Sequence, residues 1–151
     1  MKATILAVIF LSVISSSTLA NQAISKLDNI LFSEEWPGAQ IFLKNVEQDH
    51  ADACIYLSET EKRMVGRSFA IRRIVLALTL TKCEQKKLIA EKYISSKEPV
   101  LLASIIDLGT SLDLKSRQSI SSKVQQVKSR VNDPLVKEAV DRFLNSLKPK
   151  N

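Results

Sequence analysis

The segment "NDPLVKEAVDRFLNSL", residues 132–147, shows most clearly how this chain folds. Asp133 and Pro134 open it, and proline is favoured at the first helical position, where its missing N–H would have no partner. An acid at this point suits the positive end of the helix dipole. Apolar residues then recur three or four positions apart, as in an amphipathic helix that buries one face. The segment therefore predicts a helix packed against a core.

A similar pattern lies 35 residues upstream, where Glu98-Pro99 corresponds to Asp133-Pro134. Three apolar pairs follow in register, namely Leu101 with Val136, Ile105 with Val140, and Leu108 with Phe143. The stretch "PVLLASIIDLGTSL" is accordingly predicted as an apolar helix with Gly109 near its end. The pattern does not extend another 35 residues back, because Met64 stands where the proline belongs.

The spacing and the "DPLVKEAV" pattern of residues 97–147 resemble HEAT-type helical repeats. The resemblance implies helix pairs stacked antiparallel into a curved protein-binding surface. An ordinary helical bundle explains the same pattern, so both architectures stay open. In either architecture the segment is primarily a structural element.

Composition extends the helical prediction to the rest of the chain. Only three glycines occur, which leaves little material for hairpins or phosphate-binding loops, while good helix formers are abundant. Helices are predicted within 23–38, 39–58, 59–83, 84–94 and 115–131, the last with Ile120, Val124, Val127 and Val131 as its apolar stripe. The run "IVLAL" should be among the most buried segments. We expect an all-α fold, a compact bundle or short α-solenoid of about five to seven helices.

The first twenty residues have the pattern of a cleaved secretory signal peptide. Lys2 precedes the apolar run "TILAVIFLSVI", which is shorter than the roughly 20 residues that span a bilayer, and "SSSTLA" supplies a small-residue cleavage site. We therefore expect export, with a mature chain that begins at Asn21 and forms a single helical domain over 21–151. The short signal suits the periplasm of a Gram-negative bacterium.

The two cysteines, Cys54 and Cys83, predict one disulfide in an oxidising compartment. Their Cα atoms must then lie within about 7 Å, so the chain reverses between them. Gly66 is one candidate for the reversal, with Ser68 capping the helix that follows. The spacing of Ser58 and Glu61 is that of a capping box, which predicts an earlier helix start. The sequence does not choose between the two.

Charge is unevenly distributed in this chain of formal net charge +6. Residues 21–60 carry two bases against seven acids, whereas residues 61–100 carry ten bases against four acids. The acidic part either faces the basic part within the fold or leaves it to attract an acidic partner. Nucleic acid is a poor candidate, because an exported protein does not meet it and aromatic stacking residues are few.

The segment "EKRMVGRSFAIRR" holds the residues predicted to bind a partner, which are Arg63, Arg67, Phe69, Arg72 and Arg73. Arginine beside large apolar groups is typical of protein interfaces. The alternative is a solvated flank that pairs with the acidic N-terminal portion. Association with a membrane is not expected, because the arginines do not form one polar stripe.

Residues for catalysis or metal binding are few. Glu47, His50 and Cys54 have a spacing that could begin a metal site, but an oxidised Cys54 removes one donor. A solvated polar face explains the same residues, and His50 has no glycine-framed serine to activate. We therefore predict no metal, no cofactor and no enzymatic activity.

The sequence thus favours a periplasmic protein-binding module with an acidic protein partner. In general design it is similar to the immunity proteins of type VI secretion amidases, which implies a secreted toxin as partner. No specific motif carries that resemblance. A structural accessory or chaperone of the cell envelope is the alternative, and an enzyme of unknown type is the third class.

Overall fold

The computed structural model describes the backbone of residues 50–149 and the side chains of residues 53–149. The predicted signal peptide, the predicted helix within 23–38 and most of that within 39–58 lie outside this part. Six helices make up the described residues, which contain no strand: α1 His50–Arg63, α2 Ser68–Thr79, α3 Lys86–Tyr93, α4 Pro99–Thr110, α5 Leu114–Arg130 and α6 Pro134–Ser146. The predicted all-α class is confirmed.

Helix α4 lies at the centre of the fold and packs against α2, α3, α5 and α6. Its most extensive partner is α6, the helix that begins with Asp133-Pro134. The helix is apolar on nearly all sides, which is expected of a helix surrounded by others. Its buried residues are Leu101, Leu102, Ala103, Ser104, Ile105, Ile106, Leu108 and Gly109. The buried apolar side chains of all six helices form one continuous core.

Gly109 allows the close approach of α4 to its neighbours. A Cβ at this position would lie 3.0 Å from Ile120 Cδ1 and 3.2 Å from Phe143 Cε2. Phe143 is fully buried and Ile120 nearly so. A side chain here would force both neighbours to shift by a few tenths of an ångström, so the glycine is favoured by packing and not by backbone conformation.

The acid-proline pairs begin α4 and α6 as predicted. The Glu98 carboxylate accepts hydrogen bonds from the N–H groups of Val100 and Leu101, and Asp133 caps α6 in the same way. The predicted apolar pairs are buried at equivalent positions of the two helices. Asp107 and Arg142, also 35 residues apart, form a bidentate ion pair between the helices with N···O distances of 2.9 and 3.1 Å. Equivalent positions of α4 and α6 thus face each other, while the HEAT-type resemblance stays a prediction.

The apolar stripe of α5 is as predicted, with Ile120, Val124 and Val127 buried. Val131 follows the end of the helix and is half-buried. In α2, the run "IVLAL" is buried except for Leu76, which is half-buried.

The disulfide between Cys54 and Cys83 is present, with the Cα atoms 5.5 Å apart. It joins the first half of α1 to the segment between α2 and α3, and both cysteines are buried. The loop that it closes contains the whole arginine-rich segment. The bond therefore restrains the elements that carry the predicted partner-binding residues.

The chain reverses at Gly66, which settles the choice that the sequence left open. Helix α1 continues through Ser58 to Arg63, so a helix start at Ser58 is wrong. Glu61 is buried and bound to side chains of α3, and this tertiary contact outweighs the local capping signal. Gly66 has a φ of 84°, a conformation that glycine adopts without strain.

The predicted capping role of Ser68 is also wrong. Arg67 occupies the N-cap position of α2, and no side chain accepts a hydrogen bond there. The turn is tight, because the Arg67 N–H donates to the Met64 carbonyl at 3.0 Å, and this places the helix start one residue earlier than predicted. Ser68 lies in the first turn of the helix and lines a groove.

Candidate functional site

The predicted partner-binding residues lie around the turn between α1 and α2, and we call them the arginine surface: Arg63, Arg67, Phe69, Arg72 and Arg73. Arg63 ends α1 and donates to Thr60 Oγ1 at 3.1 Å. Arg67 is exposed directly before α2. Phe69, Arg72 and Arg73 have the spacing that places side chains on one side of a helix. These three residues therefore share one face of α2, although the sequence had indicated that the arginines are scattered around the helix.

Phe69 is the central apolar residue of this surface. Its side chain is 65 % exposed, although a phenylalanine in a folded domain is usually buried. The Arg73 guanidinium lies over the ring, with its carbon 4.6 Å from the ring centroid. This cation–π contact holds the ring on the surface beside a cation. Val65 in the preceding turn is also exposed, at 58 %.

A groove of about 360 Å³ separates the first turn of α2 from the first turn of α4. We call it the α2–α4 groove, and its lining residues are Ser68, Phe69, Arg72, Glu98 and Val100. A second groove of about 280 Å³ shares Ser68 with it and reaches Arg67 and Lys92. The two grooves extend the arginine surface towards α3 and α4.

Acidic residues near this surface already have partners. Glu61 is 5 % exposed, and its Oε1 accepts from Lys92 Nζ at 2.7 Å and from the Tyr93 hydroxyl. Burial, the hydrogen bond to Glu61 and the charge of Glu61 raise the pKa of the Tyr93 hydroxyl, so it remains a donor. Glu98 uses its carboxylate to cap α4. Neither acid forms an ion pair with an arginine of the surface within residues 53–149.

Several cations elsewhere in the described part have carboxylate partners. Lys128 pairs with Asp141 at 2.8 Å, and Arg142 pairs with both Asp107 and Glu138. Among the described residues, no ion pair involves Arg63, Arg67 or Arg72. The predicted alternative, pairing with the acidic N-terminal portion, falls mainly on residues 21–49, outside the described part.

Sequence reasoning missed Ser68, Glu98 and Val100 as neighbours of the arginine surface. Val100 is 36 % exposed on a helix that is otherwise almost entirely buried. The sequence signal was present, because Val100 follows the capping pair Glu98-Pro99 and lies in the first turn of α4. Its proximity to Phe69 depends on the packing of α2 against α4, which local patterns do not encode.

The predicted metal donors are not available as a set. Cys54 is oxidised, the His50 side chain and Glu47 lie outside the described residues, and within 53–149 no three His, Cys, Asp or Glu side chains gather as a metal site requires. None of the six described helices has the length and apolar character needed to cross a bilayer.

Lys86 is the other unusual polar residue, since it is only 7 % exposed. Burial lowers the pKa of its amine below the ordinary 10.5, because the protein interior disfavours the charged form. Its Nζ donates to Ser111 Oγ at 3.4 Å, while the Ser111 hydroxyl donates to the Leu108 carbonyl at 2.7 Å. The hydroxyl hydrogen points away from the amine, so the pair is not arranged as a base beside a nucleophile.

Replacing Lys86 by Met should raise the free energy of unfolding at neutral pH by about 1 to 2 kcal/mol, because no carboxylate among the described residues pairs with the buried charge to offset its desolvation. The folded-state pKa lies below the unfolded-state value, so between the two the unfolded chain binds more protons and wild-type stability rises with pH. The advantage of Met should shrink as the pH approaches 10.5. Urea denaturation at both pH values measures this difference, and one that is unchanged or larger at high pH would contradict the prediction.

Comparison with known proteins gives no relative: no protein-family model matches the chain, and no curated protein or solved structure matches it significantly. Fold and site define an all-α, disulfide-linked domain with a cationic and apolar surface at the α1–α2 turn.

Proposed function

We propose that the protein is an exported protein-binding module that uses the arginine surface to bind an acidic protein partner in the periplasm. The single observation that carries the proposal is the exposed Phe69 ring amid arginines, of which Arg67 and Arg72 have no carboxylate partner among the described residues. Such a surface is complementary to acidic groups and also has apolar area to bury.

Arginine side chains recognise carboxylates at protein interfaces. A guanidinium presents several donors in a fixed plane and binds a carboxylate through two parallel hydrogen bonds. Arg67 and Arg72 flank the exposed ring by position in the chain, and the neighbouring acids Glu61 and Glu98 are occupied. The local field is therefore positive, which attracts acidic partners and speeds their association.

The exposed apolar residues on and beside the arginine surface bear on its affinity for a partner. Val65, Phe69 and Val100 are all exposed on neighbouring elements. Interfaces concentrate binding energy in aromatic residues and arginine that become desolvated near the centre. Phe69 is the residue best placed to supply such an anchor.

In its sharpest form, the proposal is an immunity protein that blocks a secreted toxin delivered by a rival cell. The disulfide is compatible with an exported protein, and the predicted signal peptide would place it where such a toxin acts. A small domain with a cationic and apolar surface is suited to covering one acidic site.

The test is capture of the partner from the compartment itself. The full gene with a C-terminal affinity tag is expressed in its own host, and the tagged protein is purified from a periplasmic extract at low salt. We expect one acidic protein to co-purify in stoichiometric amount and to dissociate at high salt. A hydrolase that loses activity in the complex supports the immunity form, whereas an envelope-assembly component supports the accessory alternative.

Two results would contradict the proposal. Reconstitution of the purified pair should reproduce the complex, and failure to do so would mean that the capture was indirect. Recovery of the tagged protein without any partner, from cells grown under several conditions including contact with rival cells, would remove the basis for a binding function.

Export has its own test. The protein recovered from the periplasm should begin at Asn21 and should carry no thiol that reacts with an alkylating reagent before reduction. Sequencing of the N-terminus and mass measurement after alkylation check both points. Intact Met1, or two alkylated cysteines without a reductant, would contradict the assigned compartment.

A further inference from the structure

The α2–α4 groove has a more specific chemistry than the rest of the arginine surface. One side is formed by Ser68, Phe69 and Arg72 of α2, and the other by Glu98 and Val100 at the start of α4. Its volume of about 360 Å³ is suited to one or two side chains of a partner and not to a folded element. Two of its five lining residues are apolar, and one is a cation.

Arg72 is the polar group that sets the specificity of the groove. Its side chain is half-buried, and its Nε atom is shielded from solvent without an acceptor. An N–H shielded from water and left unpaired destabilises the free protein. A carboxylate that meets the guanidinium, with a small turn of the side chain towards the groove, satisfies this donor and removes the cost.

Glu98 does not satisfy this donor. Its two carboxylate oxygens accept from the Val100 and Leu101 N–H groups, which holds the side chain against the start of α4. No hydrogen bond or ion pair joins it to Arg72 among the described contacts. Glu98 therefore leaves Arg72 open to an external acceptor. The negative charge of Glu98, however, disfavours a ligand with more than one negative charge nearby.

We infer that the α2–α4 groove binds one carboxylate side chain of the partner together with an adjacent apolar side chain, the carboxylate on Arg72 and the apolar group between Phe69 and Val100. This inference rests on the proposed function and specifies the partner chemistry: a single Asp or Glu beside an apolar residue on an otherwise acidic surface. A polyanionic or phosphorylated segment fits less well, because its second charge meets Glu98.

The experiment uses 3-phenylpropionate, a small molecule with one carboxylate and one apolar ring, and its neutral analogue 3-phenylpropan-1-ol. Each is titrated into the exported protein, labelled with ¹⁵N, and followed by NMR. The Arg72 Nε–Hε resonance should be observable, because shielding from water slows its exchange. We expect the carboxylate to shift this resonance and the Val100 amide, and the alcohol to bind at least about tenfold more weakly.

Matched variants locate the effect. Arg72→Gln should abolish binding of 3-phenylpropionate, and Val100→Ala should weaken it, while Lys123→Gln, which removes an exposed cation on α5, should leave it unchanged. The amide spectrum of each variant reports whether it is folded. Should Arg72→Gln unfold, the comparison of carboxylate with alcohol in the wild-type protein still decides the question.

Three results would overturn the inference: equal binding of acid and alcohol, shifts that map away from the groove, or no shift up to the solubility limit of the acid. These results differ from failure of the proposed function, which is measured by capture of the protein partner. If the partner is captured and the acid does not bind the groove, the function stands and the groove assignment is wrong.

Discussion

Reversing the charge of both Arg67 and Arg72 to Glu should weaken binding of the captured partner by about 2 to 5 kcal/mol, or roughly 30-fold or more in Kd. The expected loss of binding free energy has two causes. Each guanidinium loses a bidentate pair with a carboxylate, and each new carboxylate faces an acidic surface. Calorimetric titration of the variant with the purified partner measures the loss.

The same double variant should change the melting temperature little. Arg67 is exposed and forms no ion pair within the described residues, while Arg72 is half-buried but also without a carboxylate partner. Lys115→Glu with Lys123→Glu is the matched control, because both lysines are exposed on α5 and the change in net charge is equal. We expect the control to retain binding within a few-fold. Lys128 is unsuitable as a control, since it pairs with Asp141.

Two outcomes would show that the arginine surface is not the interface. If the arginine variant unfolds, the arginines belong to an internal network that stabilises the domain. If it binds the partner as tightly as the wild type, the surface of residues 97–147 becomes the next candidate.

Removing the disulfide by Cys54→Ala with Cys83→Ala should lower the free energy of unfolding by about 3 to 4 kcal/mol. The magnitude follows from a closed loop with a sequence separation of 29 residues, whose unfolded chain gains entropy when the link is lost. The melting temperature should fall by about 10 °C or more. Urea denaturation followed by circular dichroism measures the change in unfolding free energy.

The wild-type protein in the presence of a reductant is the control for this prediction. It should lose nearly the same free energy as the double alanine variant, because both chains lack the same link. A loss below about 1 kcal/mol in both would mean that helix packing alone fixes α1 against the segment after α2. Partner binding should also weaken in the variant, since the closed loop carries the arginine surface.

Much of the fold was predictable because its signals are local. The caps at Glu98 and Asp133 need only an acid, a proline and the N–H groups of the next turn. The stripe of Ile120, Val124 and Val127 needs only helical periodicity. The disulfide followed from the number of cysteines and the compartment predicted by the first twenty residues.

The turn between α1 and α2 was not predictable, because two local signals competed there. The Ser58 and Glu61 spacing favoured a helix start, while Gly66 favoured a reversal. The structure favours the reversal at Gly66 because of a contact between residues 31 positions apart in the sequence. Lys92 binds the Glu61 carboxylate, and this keeps α1 helical past Ser58. The N-cap shift from Ser68 to Arg67 has the same origin in the geometry of the turn.

The residues of the candidate site were proposed from the sequence, and their role as an interface stays a prediction, but the shape of the surface was not predictable. Arginine enrichment around Phe69 is visible in the sequence, and the structure leaves Phe69 exposed as an interface residue would be. The α2–α4 groove needs Val100 to lie beside residues some thirty positions earlier, which depends on the packing of two helices. Among residues 53–149, the lack of a carboxylate partner for Arg67 and Arg72 depends likewise on where Glu61 and Glu98 place their carboxylates.

The measurement that tests the arginine surface most directly is photocrosslinking in living cells. A photoreactive benzoylphenylalanine is placed at position 69, and in a matched variant at position 114, where Leu114 is an exposed apolar residue. Leu114 begins α5 after the C-terminal end of α4, whereas Phe69 lines the groove at the start of α4. The account predicts one covalent adduct of defined mass from position 69, with the same protein that co-purifies, and none from position 114. An adduct from position 114 without one from position 69 would show that the partner binds away from the arginine surface and would contradict the account.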